Sequence, residues 1–155
     1  MRRVGYWAVV LCWVVAGSAL AQDKPADTMQ ILREKIQADK KLLVAANMGL
    51  TETEAQAFWP VYESYQKDLG LLNGRLLVLL QDYAKNYEAI TDQAAKRLVG
   101  IYLAIEEDRI KLKRSYLPKL RQALPEKKVA RYLQIENKVE AVIRYELAAQ
   151  IPLVK

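Results

Sequence analysis

The feature that most constrains this chain is a long run of apolar residues spaced alternately by four and three positions. This spacing places the side chains on one face of an α-helix, and that face needs a second long helix to cover it. Thr51 and Glu54 precede the run with the pattern of a capping box, which predicts a helix from Glu52 to about Lys85. The run consists of Phe58, Tyr62, Tyr65, Leu69, Leu72, Leu76, Leu79 and Tyr83.

Three further segments show the three- and four-residue spacing of amphipathic helices. The first spans about residues 28–47 and is closed by Asn47, Met48 and Gly49. A Thr91 cap begins the next, over residues 92–123, and Pro125 begins the last, which ends near Ala149. The predicted buried residues of these last two helices are Leu98, Tyr102, Ile105, Leu112, Tyr116 and Leu120, and then Val129, Tyr132, Leu133, Ile135, Val139, Val142 and Ile143.

The pattern predicts an all-α fold of four helices arranged as long antiparallel hairpins. No segment shows the sustained alternation of polar and apolar residues that is typical of a strand. Pro60 is expected to kink the second helix near its start, and Pro118 to bend or divide the third. Periodicity leaves open whether the helices close into a compact bundle or form an open, curved, cradle-like layer.

The N-terminus has the features of a secretory signal peptide. Arg2 and Arg3 precede an apolar run, and small residues follow up to Ala21. The run is shorter than the roughly 20 residues of a membrane-spanning helix, which argues against a permanent anchor, and Cys12 lies too far inside it for lipid attachment. We therefore expect a cleaved signal at 1–21, a polar leader at 22–27, a single helical domain at 28–149 and a C-terminal tail at 150–155, with the mature protein in the periplasm.

The composition excludes several kinds of chemistry. The chain has no histidine, and its single cysteine, Cys12, leaves with the signal peptide. Disulfides and Ser/His/Asp or Cys/His catalysis are therefore excluded from the mature chain, and we expect no enzymatic activity, no cofactor and no metal. The acidic run at 106–108 is interpreted as solvated charge, with Glu107 pairing to Lys111.

Two groups of residues are candidates for contacting a partner. Adjacent aromatic residues cannot share one narrow helix face, so one of Phe58 and Trp59 is expected at a surface or a dimer contact unless both fill a broad core. Basic residues are frequent on the last two helices, where they form either a partner-binding surface or an ordinary solvated face. The candidate residues are Phe58, Trp59, Tyr62, Lys111, Arg114, Arg121, Lys127, Lys128 and Arg131.

Residues 50–54, Leu-Thr-Glu-Thr-Glu, followed by Phe-Trp-Pro-Val-Tyr at 58–62, resemble the Leu-Thr-x-x-Gln region of the Spy/CpxP-like periplasmic proteins. These are small, exported, basic, helical proteins that carry the motif twice. Here Glu54 stands where the family has glutamine, and neither 90–93 nor 124–128 reproduces a second copy. The resemblance implies an ATP-independent chaperone that holds partly unfolded envelope proteins, usually as a cradle-shaped dimer.

Two other functions remain open at this point. A regulatory protein would dock selectively on a membrane sensor of envelope stress, and a structural protein would use the run from Phe58 to Tyr83 only for assembly. In each case we expect protein partners, a homodimer, no nucleic acid and no stable insertion in the membrane after signal cleavage.

Export makes a direct prediction about the N-terminus. Protein recovered from the cell-envelope fraction should begin near Gln22, which intact mass and N-terminal sequencing will show. A chain in that fraction that still begins at Met1 would contradict the predicted cleavage.

Overall fold

The computed structural model describes residues 38–154, which are almost entirely helical. This part of the chain contains no strand, so the all-α prediction is confirmed. The predicted signal peptide, the predicted polar leader and the first part of the predicted first helix lie outside the described residues. The helices are α1, described over 38–48, α2 (Glu52–Asn86), α3 (Asp92–Ala123) and α4 (Glu126–Gln150), with a short 3₁₀ helix at Tyr87–Ala89.

Local sequence signals fix the helix ends. The Thr51 hydroxyl accepts a hydrogen bond from the Glu54 backbone N–H (3.3 Å), and the Glu54 carboxylate accepts one from the Thr51 N–H (2.7 Å), which completes the predicted capping box. Thr91 caps α3 by accepting a hydrogen bond from the Ala94 N–H at 3.2 Å. Gly49 follows α1 with a φ of 54°, a left-handed conformation in which glycine has no steric cost.

The two internal prolines do not divide the helices. α2 is continuous through Pro60 and α3 through Pro118, so Pro118 does not divide α3, which was one of its two predicted effects. A proline removes one backbone hydrogen bond, but Tyr116 and Leu120 on either side of Pro118 are both buried in the core. Packing therefore holds both halves of α3 in one helix.

Helices α2 and α3 lie side by side and run in opposite directions. Tyr116, near the end of α3, donates a hydrogen bond to Asp68 in the middle of α2 (2.6 Å). Arg97, near the start of α3, lies 2.7 Å from Asp82 towards the end of α2. Moving forward along one helix thus moves the contact backward along the other.

Helix α4 runs parallel to α2. Lys128 in the first turn of α4 binds Glu54 in the first turn of α2, and Glu136 further along α4 accepts a hydrogen bond from Gln66 further along α2 (3.0 Å). Within residues 38–154, none of the helices is both long enough and apolar enough to cross a membrane.

Buried side chains form two separate clusters. At the hairpin end, Leu79, Leu98 and Ile105 are buried, and Leu76, Tyr83 and Ile90 pack partly buried against them. The other cluster, the four-helix end, draws on all four helices and contains Val44, Met48, Phe58, Tyr62, Tyr65, Leu69, Tyr116, Leu120, Leu124, Val129 and Tyr132. In the described residues the apolar face of α2 is thus covered by three other helices at one end and mainly by α3 at the other.

The second half of α4 departs from the predicted pattern. Val142 and Ile143 were expected in the buried face but are exposed, as is Tyr102 on α3. Towards the rest of the protein α4 instead presents Glu136, which is buried, and Glu140, which is partly buried. The prediction is therefore wrong for Val142 and Ile143, because ion pairs decide which side of this part of α4 faces inward.

A buried polar network joins α1, α2 and α4. The Lys40 ammonium lies 2.7 Å from a Glu136 carboxylate oxygen and donates to the Gln66 side-chain oxygen at 2.9 Å. The Gln66 amide nitrogen donates to Glu136 and, at 3.3 Å, to the Tyr132 hydroxyl. Because the network satisfies both charged groups away from water, removing one partner leaves the other unpaired.

Replacing Glu136 with glutamine tests this network. The Lys40 side chain is only 12% exposed, so Glu136→Gln leaves its amino group without a carboxylate partner in a largely buried position and should lower the free energy of unfolding by about 3 kcal/mol. Urea unfolding followed by circular dichroism measures the change. The matched control is Glu63→Gln, which breaks the exposed Lys41–Glu63 pair and should cost less than about 1 kcal/mol. Equal losses would show that Lys40 is not effectively buried.

Candidate functional site

The predicted aromatic candidates lie mainly in the core. Phe58 and Tyr62 are buried at the four-helix end, where the Tyr132 ring meets Phe58 edge-on at a centroid distance of 5.1 Å. Neither side chain is accessible to a partner, which corrects their assignment as binding residues. Trp59 is half-buried at the edge of this cluster, with the Lys41 ammonium 5.3 Å from its ring centroid.

Lys128 is a structural residue rather than a free surface charge. It is partly buried, donates a hydrogen bond to the Gly49 carbonyl oxygen at 2.8 Å and binds the Glu54 carboxylate. The hydrogen bond from Lys128 is the main cause that lowers the pKa of Glu54 below its usual value, and the Thr51 N–H adds to it. One lysine thus links the end of α1 and the start of α2 to the start of α4.

The other basic candidates do not all form one surface. Arg121 lies 2.7 Å from Glu126 across the connection between α3 and α4, and Lys111 lies 3.8 Å from Glu107 on its own helix, as predicted. These contacts stabilise helix ends and helix surfaces. Exposed side chains are found at the remaining three positions, Arg114, Lys127 and Arg131.

An open apolar groove lies at the hairpin end. Its volume is about 230 Å³, and every side chain that lines it is aliphatic or aromatic. Residues from the end of α2, the start of α3 and the chain after α4 meet there. The lining residues are Leu79, Leu80, Tyr83, Ile90, Ala95, Leu98, Val99, Tyr102, Ile151 and Val154.

The groove exists because few described elements cover this end of the hairpin. Leu79 and Leu98 are both buried in the cluster of the hairpin end and line the groove, whereas Val99 and Tyr102 on α3 line it with exposed side chains. Beyond the end of α4 at Gln150, Ile151 and Val154 also line the groove, and the Tyr83 hydroxyl donates a hydrogen bond to the Pro152 carbonyl oxygen at 2.7 Å. The segment after α4 therefore forms one side of the groove.

A cluster of ion pairs holds α4 against α3 beside this region. Arg144 lies 2.6 Å from Glu106 and 2.8 Å from Glu140, and Lys113 reaches Glu140 from α3 at 2.8 Å. Burial by itself would raise the pKa of Glu140, but hydrogen bonds from Lys113 and Arg144 outweigh it and lower that pKa. The hydrogen bond to Glu106 is the main reason that the pKa of Arg144 is raised. Both groups therefore remain charged at neutral pH.

These features favour binding over chemistry. Tyr83 and Tyr102 are the two titratable side chains of the groove lining, and the Tyr83 hydroxyl already donates to Pro152. Among residues 38–154, no group of three or more acidic, histidine or cysteine side chains is placed to hold a metal ion. The groove can bury aliphatic groups of a ligand and exclude water from them.

Comparison with protein-family models, with curated proteins and with solved structures gives no match to this chain. The resemblance to Spy/CpxP-like proteins therefore stays a prediction that rests on the residues quoted above.

Sequence reasoning found part of the groove without identifying it as a site. The sequence pattern assigns four of the lining residues to buried helix faces: Leu79, Tyr83, Leu98 and Tyr102. It assigns no role to the apolar residues of the C-terminal tail. The signal that could have pointed to the groove is the tail itself, since Ile151, Leu153 and Val154 are apolar residues at the end of a chain beyond the last predicted helix.

The lowered pKa of Glu140 predicts a pH dependence of stability. Its pKa in the folded state lies below the ordinary value of 4.5, so the unfolded chain binds the proton more tightly. The stabilisation is present above that value and is lost as the pH falls through the lower native pKa. Glu140→Gln should therefore lower the free energy of unfolding by about 1–2 kcal/mol at pH 7 and reduce the loss on acidification.

The measurement is urea unfolding at a series of pH values from neutral to strongly acidic. Glu146→Gln is the control, because Glu146 lies on the same helix but is exposed. A Glu140→Gln profile that parallels the wild type would contradict the assigned role of this carboxylate.

Proposed function

We propose that this protein is an ATP-independent holdase of the cell envelope that binds exposed apolar segments of partly unfolded proteins. The observation that carries the proposal is the open groove at the hairpin end, which is lined throughout by aliphatic and aromatic side chains. Exposed apolar surface of this kind on a soluble domain commonly marks a binding site.

The chemistry of the groove fits a ligand bound reversibly. Burying one aliphatic side chain contributes about 1.5–3 kcal/mol. A segment that places two or three such residues in the groove gains a total of about 3–9 kcal/mol, and the entropy lost on binding offsets much of this gain, so binding is weak and reversible. Contacts of this type need neither nucleotide nor metal for release.

Surface charge supports capture at longer range. Arg114, Lys127 and Arg131 are exposed, and the net charge of +6 becomes +4 once the predicted signal peptide, which contains Arg2 and Arg3, is removed (22 − 18). A positive surface attracts acidic chains and raises the rate of encounter, while the groove provides the short-range contacts. The basic candidate residues thus speed the association of a client, and the groove holds the client once it is bound.

The location and assembly of the protein belong to the same proposal. Export rests on the predicted signal peptide at 1–21, and the homodimer rests on the family resemblance of residues 50–62. A homodimer would place two grooves in one particle and increase the avidity for a long unfolded client.

Suppression of aggregation tests the proposal. A chemically unfolded, aggregation-prone protein is diluted into buffer without ATP, and light scattering is followed with increasing amounts of the purified protein. Suppression near stoichiometric ratios is expected. Val99→Asp places a charge on the groove wall and should require at least about fivefold more protein for the same suppression.

The matched control is Val78→Asp. Val78 is 65% exposed and Val99 57%, so both aspartates face water, but Val78 does not line the groove. Equal effects of the two variants would remove the groove from the proposal. Absence of suppression by wild-type protein that is folded and helical would favour the selective regulator or the structural protein instead.

A further inference from the structure

We infer that the C-terminal segment, residues 151–154, covers part of the apolar surface at the hairpin end as an internal stand-in for an extended apolar ligand, and that a client binds more tightly once the segment has left this surface. This inference rests on the proposed function and adds to it the class of ligand and a means of regulation. The segment is non-helical, and two of its side chains are among those that line the groove.

The contacts of the segment are those expected of a bound peptide. Ile151 follows α4 in an extended conformation (φ −91°, ψ 115°), and its side chain lines the groove together with that of Val154. Between them, the Pro152 carbonyl oxygen accepts the hydrogen bond from Tyr83. Two aliphatic side chains and one main-chain carbonyl of the segment therefore form part of the site.

The exposed fractions show which side chains of the segment face the groove. Ile151 is 36% exposed and Val154 55%, whereas Leu153 between them is 89% exposed and points to solvent. A ligand of the same kind is an extended segment with aliphatic residues three positions apart. Because Tyr83 binds a backbone carbonyl, which every residue has, this polar contact does not restrict the sequence of the ligand.

The segment is held weakly enough to be displaced. One hydrogen bond from the Tyr83 hydroxyl, the cap hydrogen bond from the Ile151 N–H to the Leu147 carbonyl oxygen and two partly exposed side chains hold it, in contrast to the fully buried residues of the four-helix end. A client must compete with these intramolecular contacts, so its apparent dissociation constant is the intrinsic constant divided by the fraction of molecules in which the segment is displaced. Removing the segment exposes the apolar surface that Ile151 and Val154 cover, so affinity should increase.

Peptide binding tests this competition. The probe is a fluorescein-labelled peptide that contains Ile-Pro-Leu-Val flanked by glycine and serine, and binding is followed by fluorescence anisotropy. Compared with the full chain, a variant ending at Gln150 should bind the probe about three- to tenfold more tightly. The double variant Ile151→Ser/Val154→Ser should behave in the same way, because it keeps the chain length but removes both anchoring side chains.

Leu153→Ser is the matched control, since it removes an apolar side chain of the same segment that does not line the groove. Its affinity should equal that of the wild type, and circular dichroism should show equal helix content in all variants. Unchanged or weaker binding by the shortened chain and the double variant would overturn the inference, as would absence of probe binding by every variant.

The two proposals fail in different measurements. If the full chain suppresses aggregation but the shortened chain binds the probe no better, the segment does not compete and the holdase proposal stands. If the full chain and the shortened chain both fail to suppress aggregation, the holdase proposal itself is wrong.

Discussion

The apolar face of α2 is the constraint on which the rest of the structure depends. It continues from Phe58 to Tyr83, and each turn has to be covered by another element if the helix is to remain folded in water. At the four-helix end α1, α3 and α4 together bury it, whereas at the hairpin end the described residues cover it mainly with α3. The apolar face of α2 is longer than the part that three helices cover. An apolar groove therefore remains at the hairpin end, and the candidate site lies there.

Charged residues on α4 explain why the apolar side chains of this helix do not close the groove. Glu136 is tied to Lys40 and Gln66, and Glu140 to Lys113 and Arg144, so the inward face of α4 is fixed by ion pairs. Val142 and Ile143 then face solvent. Buried ion pairs of this kind contribute little net stability compared with apolar packing, but a helix held by them has one preferred rotation.

Local signals made much of the fold predictable, and contacts between distant segments account for what was missed. The starts of α2 and α3 were predictable because Thr51 and Thr91 act on backbone groups within one turn. The role of Lys128 was not, because its partners Gly49 and Glu54 lie more than 70 residues away. Helical periodicity identifies which residues share a face of a helix, but it does not show which face packs against another helix. For this reason a surface position was an open alternative for Phe58.

The residues that line the groove contribute to folding as well as to the proposed binding. Leu79 and Leu98 form the small core of the hairpin end, so they cannot be made polar without loss of stability, and an open apolar surface beside them favours self-association. A C-terminal segment that rests loosely on this surface reduces its exposure while no client is present. The same loose contact allows a client to replace it, so protection of the groove and reversible binding both follow from one weakly held extended segment.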